Sequence, residues 1–250
     1  PAPLGGACGT PGGARHQGLA PDAMRVVYAS DELGPHDQRL LGALARSPHE
    51  AHLLTFYNRG ERLPAWLARD CPGVAVHHRR FPAYPELPGG SRLARWRDAA
   101  RYRKAFAEGL KGIRPDLVHA GWAQSTGYAA ALSGFRPIFL MPWGSDILVW
   151  PARSWRDRRK ARIALQAADA IACDAEVVKR RIMEISGVDP GRISVFPWGV
   201  DLDRFHPGPP DPARPPTVIM TRQMRDPYGV LAFARMFPAL RARVPGARLL

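Results

Sequence analysis

The sequence predicts a doubly wound α/β fold, and three observations predict it. From residue 25 to residue 196, short apolar runs alternate with amphipathic stretches of helical period. The runs, such as "RVVYAS" and "AHLLTF", are dense in apolar residues, as strands covered by helices on both faces of a parallel sheet must be. After a proline-rich break the same alternation starts again, so a second unit of the same kind follows the first.

The elements follow in order. "RVVYAS" (25 to 30) is a strand, the helical "HDQRLLGALAR" comes after it, and "AHLLTF" (51 to 56) is the next strand. "VAVHH" (74 to 78) precedes a long basic helix, "SRLARWRDAARYRKAFAEGLKGIR" (91 to 114), in which Leu93, Trp96, Ala100, Phe106, Leu110 and Ile113 fall near helical spacing and arginines fill the other face. "DLVHA" (116 to 120), a helix around "TGYAAAL", "PIFLM" (137 to 141), a helix over 154 to 168, "AIACD" (170 to 174), the helix "EVVKRRIMEI" and "ISVF" (193 to 196) complete the first domain, predicted over 24 to 205. "HPGPPDPARPP" (206 to 216) is poor in backbone donors and reads as a linker. "TVIMT" (217 to 221), the helix "YGVLAFARMFPALRARV" and "ARLL" open the second domain, which is expected to be cut short at residue 250. Residues 1 to 23, rich in Gly, Pro and Ala without apolar period, are expected to be a disordered or non-native leader ahead of a true start at Met24.

Bulk chemistry narrows the function. With 250 residues, 46% hydrophobic and 23% charged, the chain has the balance of a globular protein. No window approaches the roughly 18 apolar residues of a membrane span, and no signal-peptide pattern is present, so a cytoplasmic place is expected. Three scattered cysteines and no Cys-x-x-Cys argue against a disulfide framework, redox chemistry or structural metal. The net charge of +14 favours anionic partners, and much of it lies in residues 91 to 114 and 154 to 162. Those helices read either as solvated faces over a core stripe or as surfaces for contact with anionic membrane. No RNP, zinc-finger or helix-turn-helix pattern points to nucleic acid.

One stretch occurs almost twice. "MPWGSD" (141 to 146) and "FPWGVD" (196 to 201) each end an apolar run at Pro-Trp-Gly with an aspartate two residues on. In open parallel sheets, ligands sit beyond the carboxyl ends of the strands, and both turns are expected to open onto that crevice. Glycine permits the tight turn, while Ser145 and Asp146 can cap the following helix as they present polar groups; Asp201 reads as a turn cap.

These residues resemble a known family. "PDLVHAGWAQSTGYAAALSGFRPIFLMPWGSDIL", "ADAIACDAEVVKRRIMEISGVDPGRISVFPWGVDLDRF" and "TRQMRDPYGVLAFARMFPALRARVPGARLL" resemble, in order, three segments of the retaining glycosyltransferases of family 4, a likeness running from Met24 to Leu250. The resemblance implies the GT-B fold, in which two Rossmann-like domains hold the acceptor mainly on the first and a nucleotide-sugar donor mainly on the second. It also implies transfer with retained configuration, no cofactor and no obligatory metal, the leaving diphosphate being stabilised by positive side chains and helix dipoles.

Site residues carry over one by one. Arg222 matches the arginine that contacts donor phosphates, and Arg225 is a second candidate, although Asp226-Pro227-Tyr228-Gly229 stands where the family has its lysine. Gly34, Pro35, His36 and Asp37 match the first strand-helix loop near acceptor and donor. His119 matches the first histidine of the family's "vHah", whereas Gly121 stands at the second, and Asp146 joins His119 as a candidate catalytic residue. Trp143, Gly144, Ser145, Trp198 and Gly199 are the expected cleft and acceptor residues. Each has a plain structural alternative: helix start for His36, strand packing for His119, cap for Asp146, and surface cation for Arg222 and Arg225. The family's paired glutamates would fall past Leu250, so residues 24 to 250 are expected to keep the acceptor-side fold, to bind sugar nucleotide weakly and to lack catalysis.

The expected partners are a nucleotide-sugar donor and a sugar, lipid or small-molecule acceptor. Other functions stay open or fall. A dinucleotide-dependent oxidoreductase needs Gly-x-Gly-x-x-Gly after the first strand, where "YASDELGPHD" has one glycine, and no P-loop pattern occurs. A sugar-nucleotide epimerase or phosphorylase shares the expected two-domain fold, and a noncatalytic basic module for membranes or polyanions is the alternative from another class.

Overall fold

A computed structural model describes residues 22–56, 62–78, 92–209, 214–222, 224 and 228–250, without the side chains of 92–96 and 98. The expected leader lies outside the described residues apart from its last two positions, as do Arg225 and residues 210–213 of the proline-rich segment. Two compact units divide between Trp198 and Gly199, so the proline-rich segment falls within the second.

The first unit alternates strand and helix as its sequence pattern requires. Strand β1 (Arg25–Ala29) leads to α1 (Pro35–Ala45), β2 (Glu50–Thr55), the short α2 (Trp66–Asp70), β3 (Ala75–His78) and the long α3 (Arg92–Ile113). Then come β4 (Leu117–Ala120), α4 (Thr126–Ser133), β5 (Ile138–Leu140), two single turns α5 (Ser145–Leu148) and α6 (Trp150–Arg153), α7 (Trp155–Ala167), β6 (Ala170–Cys173), α8 (Glu176–Ser186) and β7 (Ile193–Val195). The short α2, α5 and α6 are not predicted by the sequence pattern, because four or five residues carry too little period to read.

All seven strands pair in parallel, in the order β3-β2-β1-β4-β5-β6-β7. The chain first builds outward from β1 to β3 and then resumes on the other side of β1. Because parallel crossovers are right-handed, that reversal sends the later helices to the opposite face. The packing agrees. Val27, Leu54, Val118, Leu140 and Ile171 of the sheet pack with Phe106 of α3, Ala130 of α4, Leu165 of α7 and Ile182 of α8 in one cluster. On the other face, Tyr28 and Leu53 pack with Leu41 of α1 and Leu67 of α2. Gly109 lets α3 lie close on β2, since a Cβ there would come within 2.9 Å of a Leu54 methyl.

Local signals start the helices. Pro35 opens α1 with its φ already set, and the Asp37 carboxylate accepts from the Gly34 N–H at 2.7 Å. Ser154 caps α7 by accepting from the Asp157 N–H at 3.1 Å.

The second unit contains β8 (Thr217–Val218), α9 (Val230–Arg243) and β9 (Arg248–Leu249), with β8 and β9 paired in parallel. Ahead of them, Asp201 Oδ1 accepts from the N–H groups of Asp203 and Arg204, both at 3.1 Å, which makes it a turn cap.

Candidate functional site at the carboxyl edge of the sheet

The strand order reverses between β1 and β4, and in sheets of this kind ligands gather at the carboxyl edge where the loops leaving two such strands part. The residues that line this edge come from loops far apart in sequence. His36, exposed on the first turn of α1, packs its ring against Trp143 after β5, at 5.6 Å between centroids, and against Trp198 after β7, at 4.3 Å. Both Pro-Trp-Gly corners therefore meet on one imidazole. Trp143 in turn touches Trp122 of the loop after β4, at 6.3 Å.

Asp146 holds two of these loops together. Its carboxylate is fully buried, and it accepts from the Ala123 N–H at 2.9 Å and from the Trp143 N–H at 3.0 Å, one bond to each oxygen. The side-chain amide of Gln124 donates to the Asp146 carbonyl at 3.1 Å. Burial pushes the Asp146 carboxyl up to about 6, against the pull of those backbone donors. The turn itself depends on Gly144, at φ +96°, while Ser145 is the exposed first residue of α5. Asp146 and Asp201, alike in sequence, thus differ in environment: one is a buried tie between loops and the other an exposed cap.

Around β1 two more acids stand close to the edge. Asp37 is buried, bonded to the Tyr28 hydroxyl at 2.8 Å and to the Gly34 N–H, and desolvation raises its pKa. Asp31 accepts from the Tyr102 hydroxyl at 2.6 Å, and burial pushes it up to about 6. Sequence reading missed Asp31; the signal available was its place two residues past the end of the first strand, where ligands of such sheets gather.

His119 lies on β4, directly in register with Tyr28 of β1 and Phe139 of β5, and its ring packs between theirs at 4.9 and 4.7 Å. Burial in this aromatic row lowers its pKa to about 4, so the ring is neutral at physiological pH. Gly121, two residues on, makes room for Trp143: a Cβ at 121 would lie 3.2 Å from the indole nitrogen.

Some buried polar atoms have no hydrogen-bond partner among the described residues: His119 Nε2, Gln124 Oε1, Trp143 Nε1 and Asp174 Oδ1. Each belongs to a residue at, or just after, the carboxyl end of β4, β5 or β6. Native interiors leave few such groups unpaired, so their gathering at one edge sets that edge apart from the rest of the first unit.

In the second unit, Gly199 is exposed, and so is Arg222, whose guanidinium lies 4.8 Å from the Tyr228 ring centroid. Arg225 lies outside the described residues. No group of three or more His, Cys, Asp or Glu suited to a metal ion is found among the described residues.

Comparison with known proteins places the chain in a family. A family model described as Glycosyltransferase Family 4 matches residues 36–204, which takes in His36 and the loops after β4, β5 and β6. The chain belongs to this glycosyltransferase family. Its relatives include a Bacillus subtilis (strain 168) protein described as a teichuronic acid biosynthesis glycosyltransferase, TuaC, 30% identical over 141 residues, 53% of this chain and 33% of that protein. Among solved structures, the apo lipopolysaccharide outer core galactosyltransferase WaaB matches 90% of this chain and 60% of its own at TM-score 0.57 and 16% identity. Anabaena HepE in complex with UDP matches 91% of this chain and 69% of its own at TM-score 0.55 and 14% identity. The family member described here thus spans about a third of its curated relative and 60% of the galactosyltransferase chain. These likenesses identify the α/β fold as GT-B type, as the sequence predicts.

Proposed function

We propose that the protein transfers a sugar from a nucleotide-sugar donor to an acceptor held at the carboxyl edge of the first unit, with retention of anomeric configuration. The observation that carries the reading is the set of unpartnered polar atoms on His119, Gln124, Trp143 and Asp174, at the strand ends of a chain from a glycosyltransferase family. A sugar offers hydroxyls to pair with such atoms and an apolar face to rest on an indole.

In this reading, the bond from the anomeric carbon to the donor phosphate breaks as the bond to the acceptor oxygen forms, and the acceptor hydroxyl gives its proton to the departing nucleoside diphosphate. The developing diphosphate charge needs fixed positive groups, a role we assign to Arg222 and Arg225. His119 is neutral and acts through its Nε2 as a hydrogen-bonding group toward substrate. Asp146 keeps the Trp143 and Gln124 loops in register, so it acts as a positioning residue. Transfer proceeds without a resident metal, so excess EDTA leaves the rate unchanged.

The test uses the natural full-length protein with a panel of UDP-, GDP-, dTDP- and ADP-sugars and glycan acceptors, following nucleoside diphosphate release and the anomeric proton of the product. Release that depends on acceptor, with the donor's configuration kept, is expected; inverted product removes the retaining assignment. Conversion of one sugar nucleotide into another without release identifies an epimerase instead. Arg222→Ala is expected to lower kcat/KM for the donor by roughly ten- to hundred-fold.

We also propose contact with anionic membrane. Among the described residues no helix is long and apolar enough to cross one, yet Arg97 and Arg101 of α3 are exposed, and Trp155 at the start of α7, 67% exposed, stands beside a groove lined by Arg158, Arg159 and Arg162. Sedimentation with phosphatidylglycerol vesicles should be lost when Arg97, Arg101 and Arg158 are reversed to Glu, and unchanged sedimentation refutes the contact.

A further inference from the structure

Four of the chain's tryptophans and one histidine form a continuous row along the carboxyl edge. Trp198 touches His36 at 4.3 Å between centroids, His36 touches Trp143 at 5.6 Å, Trp143 touches Trp122 at 6.3 Å, and Trp122 touches Trp150 of α6 at 6.3 Å. At the far end the Arg153 guanidinium lies 4.6 Å from the Trp150 ring centroid. Indoles are usually drawn into cores, where they bury the most apolar area of any side chain. These are not: none of the five rings belongs to either hydrophobic cluster, and each keeps part of its surface in solvent. They sit instead on the segments that follow β1, β4, β5 and β7, with His36 in the first turn of α1 and Trp150 in α6, packed edge to face or tilted against one another.

We propose that this row is a binding platform for an oligosaccharide, so that the acceptor is a carbohydrate chain engaged over several residues rather than a single sugar or a small aglycone. The proposal rests on the glycosyltransferase reading and names the class of its acceptor. A pyranose ring has one face of C–H bonds and a rim of hydroxyls. The row supplies partly exposed aromatic rings in succession and, close to them, the buried and unpartnered Trp143 Nε1–H donor and Gln124 Oε1 acceptor. A single sugar meets one ring and its nearest polar atoms. A chain meets the next ring with each added residue, which is the use of a row as opposed to a single stacked indole. The Asp146 tie fixes the spacing of Trp122 and Trp143 by holding their two loops, so the platform is set before the ligand arrives.

The experiment records the indole N–H resonances of the full chain labelled with nitrogen-15, titrated with linear gluco-, manno- and galacto-oligosaccharides of one to about six residues, on which stacking is tolerant of sugar identity. The expected result is movement of the Trp122, Trp143, Trp150 and Trp198 signals, with affinity in at least one series rising roughly ten-fold from monosaccharide to the longest member. Trp150→Ala should abolish the gain from the longer members, Trp150→Phe should keep most of it, and Trp155→Ala, outside the row, should leave the length dependence of sugar binding unchanged. Absence of indole shifts with every sugar, or shifts of equal affinity at every length, overturns the proposal. Donor turnover with a monosaccharide acceptor alone would leave the glycosyltransferase reading intact while overturning this one.

Discussion

Replacing His119 by phenylalanine should turn a nearly flat response of the first unit's stability to acid into a gain. The ring sits between Tyr28 and Phe139 with its pKa lowered from 6.5 to about 4 by burial. The folded state therefore binds fewer protons than the unfolded chain between those values, and the stability present above about pH 6.5 is lost as pH falls toward 4. At 1.36 kcal/mol per pKa unit the full loss is about 3 kcal/mol, of which about 2 kcal/mol is felt at pH 5. Asp31 and Asp146 act in the opposite direction. Their carboxyls, raised from 3.8 to about 6, are costly to ionise when folded, so acidification through pH 6 gives stability back. Each should recover about 1.4 kcal/mol between pH 7.5 and 5, so the acids and the histidine roughly cancel in the wild-type chain.

Phenylalanine fits the aromatic row, changes stability at pH 7.5 by less than about 1.5 kcal/mol, and leaves nothing to protonate. Relative to wild type the variant should thus gain about 2 kcal/mol on going from pH 7.5 to 5. Urea unfolding followed by tryptophan fluorescence measures this, because all 7 tryptophans lie at or before Trp198 and report the first unit alone. Parallel pH profiles for the two proteins would refute the reasoning, since they would mean that the imidazole is not held neutral by its surroundings.

Further substitutions test the loop geometry. Asp146→Ala strips the Ala123 and Trp143 N–H groups of their acceptor, and its cost by urea unfolding should be about 1.4 kcal/mol greater at pH 5 than at pH 7.5, because only the wild type recovers that part of its ionisation penalty. Gly144→Ala has open space around its new methyl but inherits φ +96°, so it should cost about 1 to 2 kcal/mol. The same change at Gly199, which is not among the positive-φ glycines, should stay within about 0.5 kcal/mol. Gly127→Ala on α4 would set a Cβ 2.7 Å from a Leu140 methyl and 3.2 Å from the Trp122 carbonyl, and about 1 to 3 kcal/mol of overpacking should appear as a lower Tm.

The fold was legible because its signal is local. Most strands of the seven-stranded sheet are apolar runs, and the long helices carry their own period, so alternation points to parallel pairing. The site was legible only in pieces. "MPWGSD" and "FPWGVD" look equivalent, yet only Gly144 needs a positive φ, and only Asp146 is buried. No pattern in the chain announces that residues 36, 143 and 198 share one contact, since that depends on three crossovers and the sheet's strand order. Nor did spacing show Trp122 and Trp150 extending the row. Asp31 escaped notice for a similar reason: its partners, Tyr102 and Phe56, are distant in sequence, and its character comes from burial rather than from neighbours.

The outermost strands of the sheet bear on how the protein behaves at high concentration. β3 has four residues and β7 three, whereas β2, protected inside the sheet, has six. Among the described residues, margins this brief give another chain little length to zip onto, which is one way sheet proteins avoid growing into fibrils. Lengthening either margin with alternating valine and threonine would be a direct route to a self-associating variant.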